Sequence, residues 1–93
     1  MGIAMENKLI GCWISAELSF CAYNFLHDGK GFYSFFEAKK EFTYTDNGDS
    51  VIIHFSGDFM PGAFRYTVEE NILLIEDSFG TPVEYKKQGE TRL

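Results

Sequence analysis

Few side chains in this sequence have the types and spacing that metal binding or catalysis requires. His27 falls in a predicted turn and His54 at an outward-facing strand position, and neither has a second His or Cys at the spacing of a zinc site. Asp46, Asn47 and Asp49 resemble the start of a calcium-binding loop, but they lack the later Glu, and hairpin turns use the same residues. No serine lies in a nucleophile motif. The sequence therefore predicts a protein that is not an enzyme and holds no metal and no cofactor.

The two cysteines, Cys12 and Cys21, lack the Cys-x-x-Cys spacing of a redox or zinc site. They fall on two strands that are predicted to be neighbours, so a disulfide between them is geometrically conceivable. Two free and mostly buried thiols are the usual alternative in a cytosolic protein. The pairing of these cysteines stays open at the level of the sequence.

Aromatic side chains are the part of this sequence that can bind a ligand. The chain has ten Phe, five Tyr and one Trp, and strand alternation places many of them on one face. The rings either enclose a cavity for a small apolar or aromatic ligand or fill the interior as a solid core. In the first case, tyrosine hydroxyls would supply the polar contacts to the ligand. The candidate ligand-lining residues are Trp13, Tyr23, Phe25, Tyr33, Phe42, Tyr44, Phe55, Phe64 and Tyr66.

A second set of apolar residues falls in predicted turns or on outward strand positions. The segment 59–62, Phe-Met-Pro-Gly, is unusually apolar for a connection, and Phe79 lies in another turn. Segment 59–62 either folds over one open end of the barrel as a plug or contacts another chain, as in a homodimer. The candidate interface residues are Phe36, Ile52, Phe59, Met60 and Leu74.

The charge balance excludes some partners. Fourteen acids against eight bases give a net charge of −6, which argues against nucleic acid and anionic membrane surfaces, because both need clustered Lys and Arg. No stretch approaches the roughly 18 apolar residues of a membrane-spanning helix. The N-terminal residues lack the basic start and apolar run of a signal peptide, so a cytoplasmic location is expected. The sequence Leu-Ile-Gly-Cys at 9–12 resembles a lipoprotein cleavage pattern, which would matter only if residues precede Met1; Met5 is an alternative start.

The elements that must position these residues read as short strands separated by turns. A unit of aromatic strand, turn and aliphatic strand that begins at Phe42 recurs 22 positions later at Phe64. Asp28-Gly29 and Asn47-Gly48 are strong hairpin signals. Strands are predicted over 9–15, 20–26, 31–36, 41–46, 51–56, 63–68, 72–76 and 83–87.

The segment 36–41 is the part of the chain that favours helix, and either a helical turn or an extended, charged hairpin loop fits it. All connections are short, so neighbouring strands should pair. The prediction is a single all-β domain over 1–93, an eight-stranded antiparallel up-and-down meander that closes into a small barrel. The alternative, a curved sheet with open edges, is disfavoured because closure removes the edges.

This pattern resembles the small lipocalin-like, calycin-type barrel domains of bacteria, most of them of uncharacterised function. The resemblance covers about residues 9–88 and includes Gly11 and Trp13 as G-x-W, the motif Y-x-F-x-x-D-G-x-G over 23–31, the two 22-residue copies and Tyr85-Lys86. It implies that Trp13 closes the base of the barrel and that a basic side chain, Lys86, Lys87 or Arg92, stacks on the indole, a contact worth about 0.5–2 kcal/mol. It also implies a small-ligand cavity. The chain lacks the long loops of secreted lipocalins, so extracellular transport is not expected.

Overall fold

The computed structural model describes residues 8–88 and shows a closed barrel. Eight antiparallel strands follow one another in chain order, and β1 pairs with β8 to complete the circle. The strands are β1 (Gly11–Ser15), β2 (Cys21–Phe25), β3 (Lys30–Phe35), β4 (Ala38–Asp46), β5 (Ser50–Phe55), β6 (Gly62–Glu69), β7 (Ile72–Glu76) and β8 (Pro82–Lys87). The predicted all-β fold, the up-and-down meander and its closure into a barrel are confirmed.

The strand register lines up the apolar positions of neighbouring strands on the inside. Tyr23 lies between Trp13 and Tyr33, and Phe42 lies opposite Phe55. Because side chains alternate along a strand, this register carries every second residue into the interior. The buried cluster contains Leu9, Trp13, Phe25, Phe42, Tyr44, Val51, Ile53, Tyr66, Leu73, Ile75 and Tyr85. The shared inner face that strand alternation predicts for the aromatic residues is confirmed for Phe42, Tyr44 and Phe55.

Three hairpin turns lie at one end of the barrel, which we call the polar end: residues 26–29, 47–49 and 70–71. Gly29 and Gly48 adopt positive φ angles of 75° and 97°, as the Asp-Gly and Asn-Gly turn signals predict. The neighbouring turn is polar as well, with Glu70 and Asn71. Leu26 is the large exposed apolar side chain of this end.

The other four connections lie together at the opposite end, which we call the apolar end: residues 16–20, 36–37, 56–61 and 77–81. They share this end because consecutive strands of an up-and-down barrel run in opposite directions, so alternate connections meet at the same rim. Each of the four contains at least one exposed Leu, Phe or Met. The barrel therefore has two chemically different ends.

The segment 36–41 is extended rather than helical. β4 begins at Ala38, and the strands are joined by a tight turn in which Phe36 has a φ angle of 56°. Ala38 lies opposite Phe35 and Lys39 opposite Ser34, so this part of the chain forms ladder hydrogen bonds with β3. The helix-forming tendency of its residues is overridden because pairing satisfies the backbone of both strands.

The two cysteines do not pair. Cys12 lies opposite Asn24 and Cys21 opposite Phe35, so three positions of β2 separate their levels. Cys12 is half-buried and Cys21 is buried beside the interior residues, and both are free thiols. A disulfide that was conceivable from the sequence is excluded by the register, because the two side chains leave opposite faces of the sheet.

Candidate functional site

The nine candidate ligand-lining residues all lie on interior positions, but they divide into two groups. Five are buried: Trp13, Phe25, Phe42, Tyr44 and Tyr66. Four are partly exposed: Tyr33, Phe55 and Phe64 lie toward the apolar end, and Tyr23 lies in the middle of β2. Three of the four more exposed candidate rings therefore lie toward the apolar end.

Trp13 seals the interior toward the polar end. Its side chain is fully buried, and its Nε1 donates a hydrogen bond of 2.8 Å to the backbone oxygen of Leu9. The Nζ of Lys87 lies 5.4 Å from the centroid of the indole ring, within the range of a cation–π contact. Gly11 leaves room for this lysine, since a Cβ atom there would lie 2.8 Å from Lys87 Cε. Of the three basic candidates, Lys87 thus occupies the stacking position, and Arg92 lies outside the described residues.

Aromatic rings in mutual contact occupy the middle of the barrel. The ring centroid of Tyr23 on β2 lies 5.2 Å from that of Tyr85 on β8 and 6.1 Å from that of Phe42 on β4. Phe25 on β2 likewise lies 4.9 Å from Tyr44 on β4. Each of these strand pairs is separated by one strand, β1 or β3, so the rings reach over that strand on the inner face of the barrel. Such packing favours the solid core over a central ligand cavity.

Two of the predicted ligand-contacting tyrosines instead hold the turns of the polar end. The Tyr44 hydroxyl donates a hydrogen bond of 2.6 Å to the backbone oxygen of Leu26, and the Tyr66 hydroxyl donates one of 2.5 Å to Asp46 Oδ1. The same carboxylate oxygen accepts a bond of 2.9 Å from the Gly48 backbone N–H. Burial raises the pKa of Tyr66, and the bond to Asp46 raises it further. These hydroxyls are occupied by the protein's own hairpins.

The tyrosines nearer the apolar end stay neutral well above physiological pH. Burial raises the pKa of Tyr23, and the neighbouring Tyr85 raises it further. Burial also raises the pKa of Tyr33, with additional contributions from the Cys21 thiol and Tyr85. A tyrosine with a raised pKa is a neutral hydrogen-bonding group at pH 7 and a poor general base. This cluster can orient a polar atom of a bound molecule.

The apolar end presents its side chains to solvent. Phe59 and Phe79 are 94% and 90% exposed, and Met60 is 66% exposed. The interpretation of segment 59–62 as a plug over the barrel end is therefore wrong, because its two largest side chains point away from the interior. Its interpretation as an interface stays a prediction.

Three phenylalanines form a ring cluster on one side of the apolar end: Phe20, Phe35 and Phe36. The rings of Phe20 and Phe36 are stacked, with centroids 4.1 Å apart and planes at 6°. Phe35 meets both edge-on, at 5.6 Å from Phe20 and 4.8 Å from Phe36. Sequence reasoning selected only Phe36 from this cluster. The signal that identifies the others is the up-and-down order, which brings residues 16–20 and 36–37 to the same rim.

Ile52 and Leu74 lie on the outer wall of the barrel rather than at either end. They are 37% and 40% exposed. Ile52 lies opposite Ala63 and Leu74 opposite Thr67 on the intervening strand β6. Four positions of a strand span about 13 Å, so the two side chains do not form one continuous patch.

A groove of about 680 Å³ also lies on the outer wall, across β5, β6 and β7. Six of its eight lining residues are charged or polar, among them Asp49, Arg65 and Glu76, yet most of the surface that the groove exposes is apolar. Small-molecule sites usually enclose their ligand in a cleft or cavity, whereas this groove is open to solvent. It therefore lacks the enclosure typical of a small-molecule site.

Within residues 8–88, no three His, Cys, Asp or Glu side chains are grouped so that they could hold a metal ion. The same residues include no helix with the length and apolarity to cross a membrane. Comparisons with protein-family models, curated proteins and solved structures gave no match to this chain. The lipocalin-like resemblance therefore stays a prediction, and function must be inferred from the geometry of the two ends.

Proposed function

We propose that this protein is a non-enzymatic interaction module whose apolar end docks against an apolar surface of another protein chain. One observation carries the proposal: all four connections at this end expose large apolar side chains, while the interior positions behind them carry aromatic rings that contact one another. Large apolar side chains that are exposed together at one end of a small protein are typical of an interaction site.

The exposed rings are not required by the turns that carry them. In the connection 77–81, the Asp77 carboxylate accepts hydrogen bonds from the backbone N–H groups of Phe79 and Thr81, at 2.9 and 3.0 Å. In the connection 56–61, the Asp58 backbone N–H donates a hydrogen bond to the Phe55 backbone oxygen. The Asp58 backbone oxygen lies 2.9 Å from His54 Nε2. Polar groups thus shape both loops. Burying a phenylalanine side chain is worth about 1.5–3 kcal/mol, so a partner that covers these rings would gain that energy.

A displayed library of random peptides tests the proposal. The wild-type protein is compared with the double variant Phe59→Ser/Phe79→Ser and with a control, Ile52→Thr/Leu74→Thr, that changes exposed apolar residues on the outer wall. We expect peptides rich in apolar residues that bind the wild type and the control but not the apolar-end variant. Absence of enrichment by a monomeric wild type, or equal binding to all three proteins, would contradict the proposal.

A second candidate function is the binding of a small aromatic molecule at the mouth of the apolar end. It is supported by the four partly exposed interior rings, with the Tyr33 hydroxyl beside Tyr85 and Cys21 as a polar contact. It is also what the lipocalin-like resemblance implies. An apolar fluorescent dye tests it against Val83→Phe, which enlarges a partly buried interior residue. The mouth site is supported if the wild type and Phe59→Ser/Phe79→Ser bind the dye but Val83→Phe does not. It is contradicted if the wild type does not bind the dye.

A further inference from the structure

We infer that the partner of the apolar end is a second copy of the same chain, so that two barrels dock apolar end to apolar end about a two-fold axis. The inference rests on the proposed function and adds the identity of the occupant. Two properties of this end favour a second copy, namely the area it exposes and the two different ways in which it presents its rings. The charges around it determine how self-association should depend on salt.

The exposed apolar area matches what a stable dimer buries. Phe20, Phe35, Phe36, Phe59 and Phe79 are between 39% and 94% exposed, which together equals about three whole rings. At about 150–250 Å² for each aromatic side chain, they offer roughly 500–800 Å² per chain. Met60 and Leu18, at 66% and 47% exposure, add to this area. A standard protein interface buries about 800 Å² on each partner, so the apolar side chains alone approach that size.

The rings are presented in two complementary ways on opposite sides of the rim. The ring cluster of Phe20, Phe35 and Phe36 joins the connections 16–20 and 36–37, which are neighbours because β2 pairs with β3. Phe59 and Phe79 project from the two remaining connections, and among residues 8–88 neither ring contacts another ring. A two-fold axis requires one surface that complements itself. It would place the projecting rings of one chain against the ring cluster of the other.

The charges at this end distinguish a second copy from a cationic partner. Each of the four connections carries one carboxylate, from Glu17, Glu37, Asp58 and Asp77. Asp58 is 3.7 Å from Lys40 Nζ, so part of this charge is balanced within the chain. Two identical ends bring like charges together, and salt screens that repulsion. Self-association should therefore strengthen as salt rises, whereas binding of a basic peptide would weaken.

Sedimentation velocity of the full chain over a concentration series tests the inference, at about 0.15 M and about 1 M salt. We expect a reversible dimer that tightens at the higher salt. Phe59→Ser/Phe79→Ser should raise the dimer Kd by at least about 30-fold, the loss typical of truncating one hot-spot side chain. The control Ile52→Thr/Leu74→Thr should dimerise like the wild type. Circular dichroism confirms that each variant is folded.

Three outcomes would overturn the inference: a wild-type chain that stays monomeric throughout, a dimer that persists in the apolar-end variant, or a dimer that loosens as salt rises. Combined with the peptide selection, these outcomes distinguish failure of the dimer inference from failure of the proposed function. A monomeric wild type that nonetheless selects peptides through Phe59 and Phe79 refutes the second copy and keeps the interaction module. A monomer that selects none refutes both. A dimer that loosens as salt rises contradicts the like-charged, end-to-end arrangement.

Discussion

The two ends of the barrel are built from the same number of strands but use their aromatic residues in opposite ways. At the polar end, the polar atoms of Trp13, Tyr44 and Tyr66 donate hydrogen bonds to Leu9, Leu26 and Asp46. These contacts fasten the hairpins to the core. At the apolar end, Phe59 and Phe79 are 94% and 90% exposed, and neither contacts another ring among the described residues.

We expect this difference to separate stability from the proposed binding within a chain of 93 residues. A domain of this size has a thin core, because it buries only about 60–65% of the surface that the unfolded chain exposes. The buried aromatic donors Trp13, Tyr44 and Tyr66 form their hydrogen bonds at one end, so the exposed rings in the loops of the other end do not have that task. Substitutions at the polar end should therefore lower stability, and those in the apolar loops should lower binding.

The largest effect is expected for Trp13→Ala, which removes the fully buried indole that seals the polar end. The free energy of unfolding should fall by about 3–5 kcal/mol, as for other buried aromatic truncations. That is a large share of the stability of a small domain, about 5–15 kcal/mol. Urea unfolding followed by circular dichroism measures it. Phe79→Ala, at 90% exposure, is the control and should change stability little. Similar losses of unfolding free energy in both variants would contradict the proposed difference between the two ends.

Gly31→Ala should be the next most damaging change. A Cβ atom at Gly31 would lie 2.3 Å from the Asn24 backbone oxygen and 2.7 Å from the Phe42 ring. Because the first neighbour is backbone, the strands must move apart, and overpacking of this kind costs about 1–3 kcal/mol or more. Ser34→Ala on the same strand is the control, since its side-chain hydrogen bond to Ala22 O is long at 3.5 Å. If Gly31→Ala is as stable in urea as the wild type, the prediction is wrong, and β2 and β4 can move apart at this position at little cost in free energy.

Tyr23→Phe should alter the pH dependence of stability. Burial raises the pKa of Tyr23, so the folded chain keeps this proton when the unfolded chain, with a pKa near 10, has lost it. The resulting stabilisation is complete below about pH 10 and is lost as pH rises through the folded pKa, at up to about 1.4 kcal/mol per pH unit. The variant should lose stability less steeply in urea titrations above about pH 10. An unchanged slope would mean that Tyr23 does not carry this effect.

The smallest effect distinguishes the two parts of the apolar end from each other. Phe36→Ser removes a ring stacked on Phe20 at 4.1 Å, and the loss should be about 0.5–1.5 kcal/mol. Phe59→Ser removes a ring without such a contact among the described residues, and it should leave the urea midpoint nearly unchanged. Equal stability losses in the two variants would contradict the division into a self-supporting cluster and projecting rings.

Much of the fold could be predicted from local patterns in the sequence. The alternation around Phe42, Tyr44, Phe64 and Tyr66 placed these residues inside, and Asn47-Gly48 located a hairpin, because both signals depend only on neighbours in the chain. The extended structure of residues 38–40 could not be predicted in this way. It depends on pairing with β3, which local helix propensity does not register.

The candidate site was predicted only in part. The interior residues were identified, but sequence alternation alone cannot distinguish a ring that fills the core from one that lines a cavity. Phe59 and Met60 were selected as interface candidates, whereas Phe20 and Phe35 of the ring cluster were not. Their relation to Phe36 becomes visible only when the connections 16–20 and 36–37 are placed at the same rim. The exclusion of a Cys12–Cys21 disulfide likewise required the register of β1 and β2.

The sequence by itself determined that this chain forms short antiparallel strands with an aromatic inner face, because side-chain alternation and glycine turns act over a few residues. The tertiary structure decided that Trp13 and its neighbours seal one end and that every apolar loop lies at the other. That separation arises from contacts between strands distant in sequence, above all the pairing of β1 with β8, which closes the barrel and gives it two distinct ends.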